Sequence, residues 1–257
     1  MIKAIFLDID GTMVSFNTHV ISQRTCEALD KLRKNGIKVF VASGRHKTAI
    51  NNLGNAQFDG YMTLNGGLCY ADHNELIYKR AIDKKDIHAI LDYSDKHPLP
   101  MMFVKEHTLG LNFIREDVTA MQEQLDFVNV PIVDLHSWAD DEVMQLIAFF
   151  PIEKQEDVMR VIPGCDSARW SPLFSDVVPH GSSKQVGVDK MIEYFGIGID
   201  ETMAFGDGGN DIPMLEHAGI GVAMGNAEDN VKQSADFVTR SVDEEGIEYA
   251  LKHFGII

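Results

Sequence analysis

Two carboxylates stand at the end of the first apolar stretch of the chain. Residues 5–7 are Ile, Phe and Leu, and Asp8 and Asp10 follow them in an Asp-x-Asp pattern. Side chains alternate along a strand, so both carboxylates lie on the same face, and Gly11-Thr12 lets the chain turn away behind them. Two like charges at the end of a buried strand are costly unless a cation or hydrogen bonds compensate them. The pattern therefore predicts a cation site, although a capping aspartate followed by a plain turn also fits these residues.

Polar side chains also follow three other apolar runs that are predicted to be buried strands. These strands cover 37–42, 61–64 and 202–205, and they are followed by Ser43-Gly44-Arg45, by Asn65-Gly66-Gly67 and by the segment 206–211, Gly-Asp-Gly-Gly-Asn-Asp. Parallel strands place their carboxyl ends at one edge of a sheet, where open α/β sheets bind ligands. We therefore expect one site at this edge, built from residues far apart in sequence. Taken singly, Ser43 also fits a helix cap, and the glycine-containing segments also fit plain turns.

The residue types at this predicted site favour magnesium and phosphoryl transfer. Mg²⁺ prefers carboxylates, carbonyls and water, and no cysteine or histidine cluster competes, so Asp8, Asp10 and Asp207 are the candidate metal ligands. A carboxylate beside a metal ion can also act as a nucleophile, and Asp8, which lies deeper on the strand, suits that role. Asp10 can protonate the leaving oxygen and then activate water. The predicted intermediate is an aspartyl-phosphate.

The charge of the chain sets a condition on any anionic substrate. The 257 residues include 23 basic and 39 acidic side chains, which give a formal charge of −16. This balance argues against nucleic acid and anionic membranes as partners, and a phosphate ester substrate requires a metal and a few placed cations. Lys184 is the main candidate, because it follows Gly181 where the core pattern resumes and starts a helix. Arg45 is a second one, and both residues also fit solvated surface positions.

Cysteine usage and the N-terminal sequence predict a cytoplasmic protein. Cys26, Cys69 and Cys165 are odd in number, far apart and outside metal-ligand spacing, which is typical of a reducing compartment. No basic-then-apolar signal segment precedes Ile5, and no run of about 18 apolar residues occurs, so neither export nor a membrane span is predicted. No apolar stripe suggests an exposed surface for self-association, and we expect a monomer.

The order of predicted elements gives an α/β fold with an insertion. Strands and helices alternate near both ends of the chain, which indicates a doubly wound parallel sheet. Between residues 82 and 178 the order is α-β-β-α-β-α-β-β, which favours helices packed on one face of an antiparallel sheet. We therefore predict a Rossmann-like core of residues 1–81 and 179–257 and an inserted α+β domain of residues 82–178. The second helix of the core is predicted to begin near His46 or Lys47.

Four segments in this order resemble the signature motifs of the haloacid dehalogenase-like hydrolase superfamily. They are Asp8-Ile9-Asp10-Gly11-Thr12, Ser43, Lys184 and the segment 206–211. Asn65-Gly66-Gly67 and the large insertion make the chain similar to the Cof-type sugar phosphatases of class IIB, whose insertion is a C2B cap domain. The resemblance covers the whole chain. The second motif has serine where many members have threonine, which retains the hydroxyl.

This resemblance implies a Mg²⁺-dependent phosphatase with specific residue roles. Asp8 would be the nucleophile and Asp10 the general acid and base. Asp8, the backbone carbonyl of Asp10 and Asp207 would bind the metal. Asp211 would support Lys184 or a metal-bound water. The residues that would hold the phosphoryl group are Ser43, Gly44, Lys184 and Asn210.

The cap domain is expected to select the substrate, which by the resemblance is a small phosphorylated sugar such as a hexose phosphate. The candidates to face the sugar are Arg169 and Trp170 on a cap strand, the hairpin Glu106-His107-Thr108 and, in the core, Arg45, Asn65 and Gly66. Trp170 also fits a core position, and His107 also fits a plain turn. Two alternative functions stay open, namely a phosphosugar mutase of the same superfamily and a receiver-like signalling domain phosphorylated on Asp8.

Overall fold

The structure of the chain is a computed structural model, which describes residues 1–71, 75–124, 130–169 and 171–257. The chain divides into two compact units. The first consists of Met1–Tyr78 and Ser183–Ile257, and the second consists of Lys79–Ser182. The predicted domain limits, after residue 81 and before residue 179, remain a proposal based on the sequence.

Regular structure is distributed along the whole of the described chain. The strands are β1 (Ala4–Leu7), β2 (Lys38–Ala42), β3 (Gly60–Thr63), β4 (Leu68–Ala71), β5 (Leu76–Lys79), β6 (Met101–Val104), β7 (Leu109–Leu111), β8 (Gln145–Ala148), β9 (Cys165–Ala168), β10 (Ser175–Pro179), β11 (Thr202–Gly206), β12 (Ile220–Ala223) and β13 (Phe237–Val238). The helices are α1 (Gln23–Lys34), α2 (Lys84–Lys96), α3 (Glu116–Gln124), α4 (Gln155–Val161), α5 (Lys184–Phe195), α6 (Ile212–His217), α7 (Asp229–Gln233) and α8 (Gly246–His253). None of the helices in the described ranges combines the length and the apolar character that crossing a bilayer requires.

The main sheet has eight strands, in the order β13-β12-β11-β1-β2-β3-β4-β5. β1 pairs in parallel with β2 on one side and with β11 on the other. The pairs β11 with β12, β12 with β13, and β2 with β3 are also parallel, whereas β4 runs antiparallel to β3. The predicted parallel core is confirmed, and β1 lies near its centre.

Helices cover both faces of this sheet. Ile5 and Leu7 of β1 pack in one hydrophobic cluster with residues of α1 and α8, while Ala4 and Phe6 pack in another with residues of α5 and α6. A strand covered on both faces is apolar throughout, which explains the continuous apolar run at the start of the chain. Burial of a large side chain such as Phe6 contributes about 1.5–3 kcal/mol to stability. The sheet is therefore doubly wound, as predicted.

The second unit contains a five-stranded antiparallel sheet, in the order β7-β6-β8-β10-β9. Met101 and Phe103, alternate residues of β6, belong to one hydrophobic cluster. Ile87 and Ile90 of α2 and Val158 of α4 join the same cluster. This is the helix-on-sheet arrangement predicted for the inserted segment.

The prediction of a helix beginning near His46 or Lys47 is wrong. The structure has only a single 3₁₀ turn, Lys47–Ala49, and Ile50 after it is already extended, with φ −93° and ψ 91°. The next two residues are asparagines, whose side chains compete for backbone hydrogen bonds and disfavour helix interiors. The turn therefore does not propagate into a helix.

Candidate active site

The carboxyl ends of three adjacent strands bring the predicted polar residues together in the first unit. Asp8 follows β1 directly, Ser43 follows β2 and Asp207 follows β11. The backbone N–H of Asp8 donates to the carbonyl of Phe205 on β11 at 3.1 Å, so the pairing of β1 with β11 extends to the first residue of the site. The sheet itself therefore fixes the backbone under these side chains.

Lys184 is the buried cation of the site. Its side chain is 0 % exposed, and its ammonium group donates to Oδ1 of Asp8 and to Oδ1 of Asp211, at 2.5 Å each. Ser183 caps α5 by accepting a hydrogen bond from the backbone N–H of Val186, which fixes the helix start that carries Lys184. Burial alone would lower the pKa of Lys184, but Asp211 and Asp8 outweigh burial and raise it above the usual range. The lysine is therefore charged.

Three carboxylates form an acidic cluster beside this lysine. One oxygen each of Asp8, Asp207 and Asp211 lies within 4.8 Å of the others. Burial, followed by repulsion from Asp211, raises the pKa of Asp8 well above its usual range. The same two causes raise the pKa of Asp207 to about 7. Because three carboxylates exceed the charge of one lysine, and oxygen donors suit a hard divalent ion, these residues fit a metal such as Mg²⁺.

Asp211 joins Lys184 to the turn that carries Asp207. While Oδ1 of Asp211 accepts from Lys184, its Oδ2 accepts from the backbone N–H groups of Asp207 at 3.0 Å and of Gly208 at 2.9 Å. Gly206 makes room for this carboxylate, because a Cβ on Gly206 would lie 2.4 Å from the Cβ of Asp211. Both oxygens of Asp211 thus accept hydrogen bonds within the site.

Asp10 forms a bidentate ion pair with Arg45. Nε of Arg45 donates to Oδ2 of Asp10 at 2.7 Å, and Nη2 donates to Oδ1 at 2.6 Å. Nη1 of Arg45 donates to the carbonyl of Ala49 in the 3₁₀ turn at 3.0 Å. The side chains of Arg45 and Asp10 are only 8 % and 14 % exposed. Two parallel hydrogen bonds of this kind fix the plane of the Asp10 carboxylate.

A left-handed turn directly after β3 contacts both the residue after β2 and the residue before α5. Leu64, Asn65 and Gly66 have φ values of +52°, +53° and +84°. The N–H of Asn65 donates to the carbonyl of Ser43 at 3.0 Å, and a Cβ on Gly66 would lie 2.4 Å from the carbonyl oxygen of Ser183. Consecutive left-handed residues are costly outside glycine, so these contacts must hold the turn in place.

The other predicted phosphate-binding residues lie beside this left-handed turn. Nδ2 of Asn210 donates to Oδ1 of Asn65 at 2.9 Å, which joins the 206–211 turn to the left-handed turn. The hydroxyl of Ser43 accepts from the backbone N–H of Arg45 at 3.1 Å, and Gly44 lies half-buried between them. The structure thus gathers every predicted core residue around the end of β1, while their roles in binding remain proposals.

The second unit holds the predicted sugar-facing residues His107 and Arg169. The side chain of His107 is 84 % exposed. Arg169 is engaged within its own unit, since Nη1 donates to the carbonyl of Phe174 and Nη2 to the carbonyl of Phe150, at 3.0 Å each. Its guanidinium carbon also lies 4.9 Å from the ring centroid of Phe150. Arg169 therefore stabilises the packing of this unit, its role toward a sugar stays a prediction, and Trp170 lies outside the described residues.

Two side chains that contact Asp207 were not among the site residues predicted from the sequence. The hydroxyl of Thr12 donates to Oδ1 of Asp207 at 2.9 Å, and Nδ2 of Asn226 donates to Oδ2 at 3.2 Å. Thr12 belongs to the first motif. Asn226 stands three residues after the end of β12. The criterion that singled out the other residues, a polar side chain following a core strand, would also have found Asn226.

Comparisons with known proteins establish the family. A family model described as haloacid dehalogenase-like hydrolase matches residues 5–251. A Bacillus subtilis protein named "Putative phosphatase YkrA" is 35 % identical over 264 residues, which cover 99 % of this chain and 98 % of that protein. The chain therefore belongs to the haloacid dehalogenase-like hydrolases.

Solved structures narrow the class within this family. BT4131, described as a HAD subclass IIB sugar phosphatase, is 45 % identical with a TM-score of 0.95, over 99 % of this chain and 100 % of that chain. BT1666 from Bacteroides thetaiotaomicron, described among the phosphatases of the same superfamily, is 38 % identical with a TM-score of 0.93, over 100 % and 96 %. These similarities confirm a subclass IIB phosphatase, that is, a phosphoric monoester hydrolase.

Proposed function

We propose that this protein is a Mg²⁺-dependent phosphatase that hydrolyses small phosphorylated sugars, such as hexose phosphates, through an aspartyl-phosphate on Asp8. The observation that carries the proposal is the group of Asp8, Lys184, Asp207 and Asp211 at the ends of β1 and β11. It combines a potential nucleophile, a charged lysine and oxygen donors that suit a divalent cation. The identity of 45 % with a structure described as a sugar phosphatase supports the substrate class.

The first step transfers the phosphoryl group to the protein. A carboxylate oxygen of Asp8 forms a bond to phosphorus as the bond between phosphorus and the sugar oxygen breaks. For this step one oxygen of Asp10 carries a proton in place of its hydrogen bond from Arg45. Asp10 gives that proton to the departing oxygen, so that the sugar leaves as a neutral alcohol. The ammonium of Lys184, the hydroxyl of Ser43 and the amide of Asn210 hold the remaining phosphoryl oxygens as charge develops on them.

The second step releases phosphate. Asp10, now a carboxylate, takes a proton from a water molecule, and the water oxygen attacks phosphorus as the bond to Asp8 breaks. Two hydrogen bonds from Arg45 hold the Asp10 carboxylate in one plane for this step. A divalent metal ion bound by Asp8, the backbone carbonyl of Asp10 and Asp207 would supply neutralisation of charge between the carboxylates and the phosphoryl oxygens.

Release of inorganic phosphate from a panel of sugar phosphates and nucleotides tests the proposal. We expect turnover that requires Mg²⁺, is lost in EDTA and is highest with sugar phosphates. A preference for nucleotides would contradict the substrate class, and unchanged turnover in EDTA would contradict the metal assignment.

The products of the same reaction separate the alternatives. A phosphosugar mutase needs a bisphosphate for priming and yields an isomerised sugar phosphate. A receiver-like signalling domain accumulates a long-lived phosphoprotein without turnover. Steady formation of free phosphate and free sugar, with no bisphosphate added, is the result expected of the phosphatase.

We also propose that the inserted segment selects the substrate, as a cap domain does. His107→Ala and Arg169→Ala are the two variants for this test, and the readout is the ratio of rates across the sugar phosphate panel. This ratio is unaffected by the loss of packing expected for Arg169→Ala, because lower stability reduces all rates together. Unchanged ratios in both variants would remove these two residues from the site.

A further inference from the structure

Asn226, on the loop between β12 and α7, makes three hydrogen bonds with its side-chain amide. Its Nδ2 donates to the backbone carbonyl of Gly11 at 2.9 Å and to Oδ2 of Asp207 at 3.2 Å. Its Oδ1 accepts from the backbone N–H of Val242 at 2.9 Å. One amide thus joins the turn after β1, the end of β11 and the segment that precedes α8.

The groups around this side chain require an amide. The N–H of Val242 needs an acceptor, whereas the carbonyl of Gly11 and the carboxylate of Asp207 both need a donor. An apolar side chain could bond with none of them, and a carboxylate would place a second negative oxygen against Asp207. The surroundings therefore also determine which end of the Asn226 amide carries the nitrogen.

Both oxygens of Asp207 receive a hydrogen bond from a neutral donor. Thr12 donates to Oδ1 and Asn226 donates to Oδ2. Gly11 lies so close that a Cβ on it would be 2.0 Å from Oδ2 of Asp207. These three contacts fix the plane of the carboxylate. Because the donors are neutral, they bring no positive charge that would compete with a cation, and each oxygen has a further lone pair for that cation.

We propose that Asn226 is a positioning residue that holds the Asp207 carboxylate in the orientation required to bind a divalent metal ion. This inference rests on the proposed function, in which Asp207 is a metal ligand. Hydrogen bonds to metal ligands typically contribute about 10–100-fold to metal affinity. Asn226 itself is exposed, so the loss of its amide should affect metal binding far more than folding.

The test measures metal binding directly, with Mn²⁺ as the probe and its electron paramagnetic resonance signal as the readout. Asn226→Ala and Asn226→Leu both remove the amide but differ in volume, so a shared effect reports the lost hydrogen bonds. The matched control is Asn17→Ala, which removes an exposed hydrogen bond of 2.9 Å between an amide and the carboxylate of Asp243.

Both Asn226 variants are expected to bind Mn²⁺ at least about 10-fold more weakly than the wild type, with unchanged melting temperature in EDTA. The Asn17→Ala control is expected to bind as the wild type does. Wild-type affinity in both Asn226 variants would overturn the inference while leaving the proposed function intact. Absence of Mn²⁺ binding by the wild type, or undiminished binding by Asp207→Asn, would instead overturn the metal assignment itself and the inference with it.

Discussion

The ammonium of Lys184 and the carboxylates of Asp8 and Asp211 depend on each other, because all three groups are buried. Lys184→Met keeps a similar volume but leaves two carboxylates together without a cation. Removing one partner of a buried ion pair costs about 3–5 kcal/mol. We expect a loss of this size in the free energy of unfolding by urea in the presence of EDTA, together with the loss of phosphatase activity.

A second lysine of the same helix provides the control for this prediction. Lys190 also lies on α5, but it pairs with Glu193 at the surface. Exposed ion pairs contribute little to stability. Lys190→Met should therefore unfold close to the wild type and retain activity. Equal destabilisation by the two substitutions would contradict the role assigned to Lys184.

The bidentate pair between Arg45 and Asp10 leads to a prediction about leaving groups. Arg45→Lys retains the charge but cannot hold both oxygens of Asp10 in one plane. Misorientation of a catalytic group costs about 10²-fold in rate, so we expect kcat/KM for sugar phosphates, which reports the step in which the alcohol leaves, to fall by about this factor. The kcat/KM for an aryl phosphate, whose leaving oxygen needs no proton, should fall much less. Equal losses in kcat/KM with both substrates would show that Arg45 does not assist the proton transfer by Asp10. Arg33→Lys, which alters a partly exposed pair with Asp59, serves as the control.

At the level of elements, the strand ends are the part of the site that can be predicted best from sequence. β1, β2 and β11 are buried, so their sequences are apolar, and the polar residue that ends each run is conspicuous. Parallel pairing then brings Asp8, Ser43 and Asp207 to one edge. The fold class and the placement of Asp8 and Asp207 follow from this regularity, whereas the family is inferred from the resemblance of the motifs.

Contacts made by irregular segments could not be predicted in the same way. Arg45, in the segment between β2 and the 3₁₀ turn, donates both to Asp10 and to the carbonyl of Ala49 in that turn. The strand-end criterion would select Asn226 as a polar residue, but it does not predict that its amide contacts both Asp207 and the backbone of Val242. Periodicity carries no information about side-chain direction in such segments, since tertiary contacts determine it.

The left-handed turn after β3 can be tested with a pair of glycine substitutions. Gly66 has φ +84° and lies against Ser183, whereas Gly36 has φ +78° and has no neighbouring atom within 4 Å of the position of a Cβ. A left-handed backbone alone costs alanine about 1–2 kcal/mol, which is the loss expected for Gly36→Ala. Gly66→Ala should lose more stability by urea unfolding and also lose activity. The new Cβ would collide with the carbonyl oxygen of Ser183 and displace the start of α5. Equal behaviour of the two variants would contradict the close packing at Gly66.

At the level of the whole molecule, a chain of formal charge −16 is proposed to bind an anion. Lys184 and Arg45 at the site are each paired with carboxylates, so a bound divalent ion would add positive charge there. A ligand that binds only the folded state stabilises it by about 2.7 kcal/mol at one hundred times its Kd. We therefore expect the melting temperature of the wild type to rise with Mg²⁺. Asp207→Asn should lose this rise, whereas Asp243→Asn, which changes an exposed carboxylate, should retain it. An equal rise in all three proteins would indicate that Mg²⁺ only screens the net negative charge of the protein and does not bind at Asp207.

The most direct test of the central claim is to trap the phosphorylated protein. The wild type is mixed with a sugar phosphate and Mg²⁺, quenched in acid within one turnover and reduced with borohydride, which converts an aspartyl-phosphate to homoserine. Peptide mass spectrometry then locates the product. We predict homoserine at position 8, and none in Asp8→Asn. Homoserine at position 10 instead, or no trapped residue in an enzyme that turns over at full rate, would contradict the assignment of Asp8 as the nucleophile.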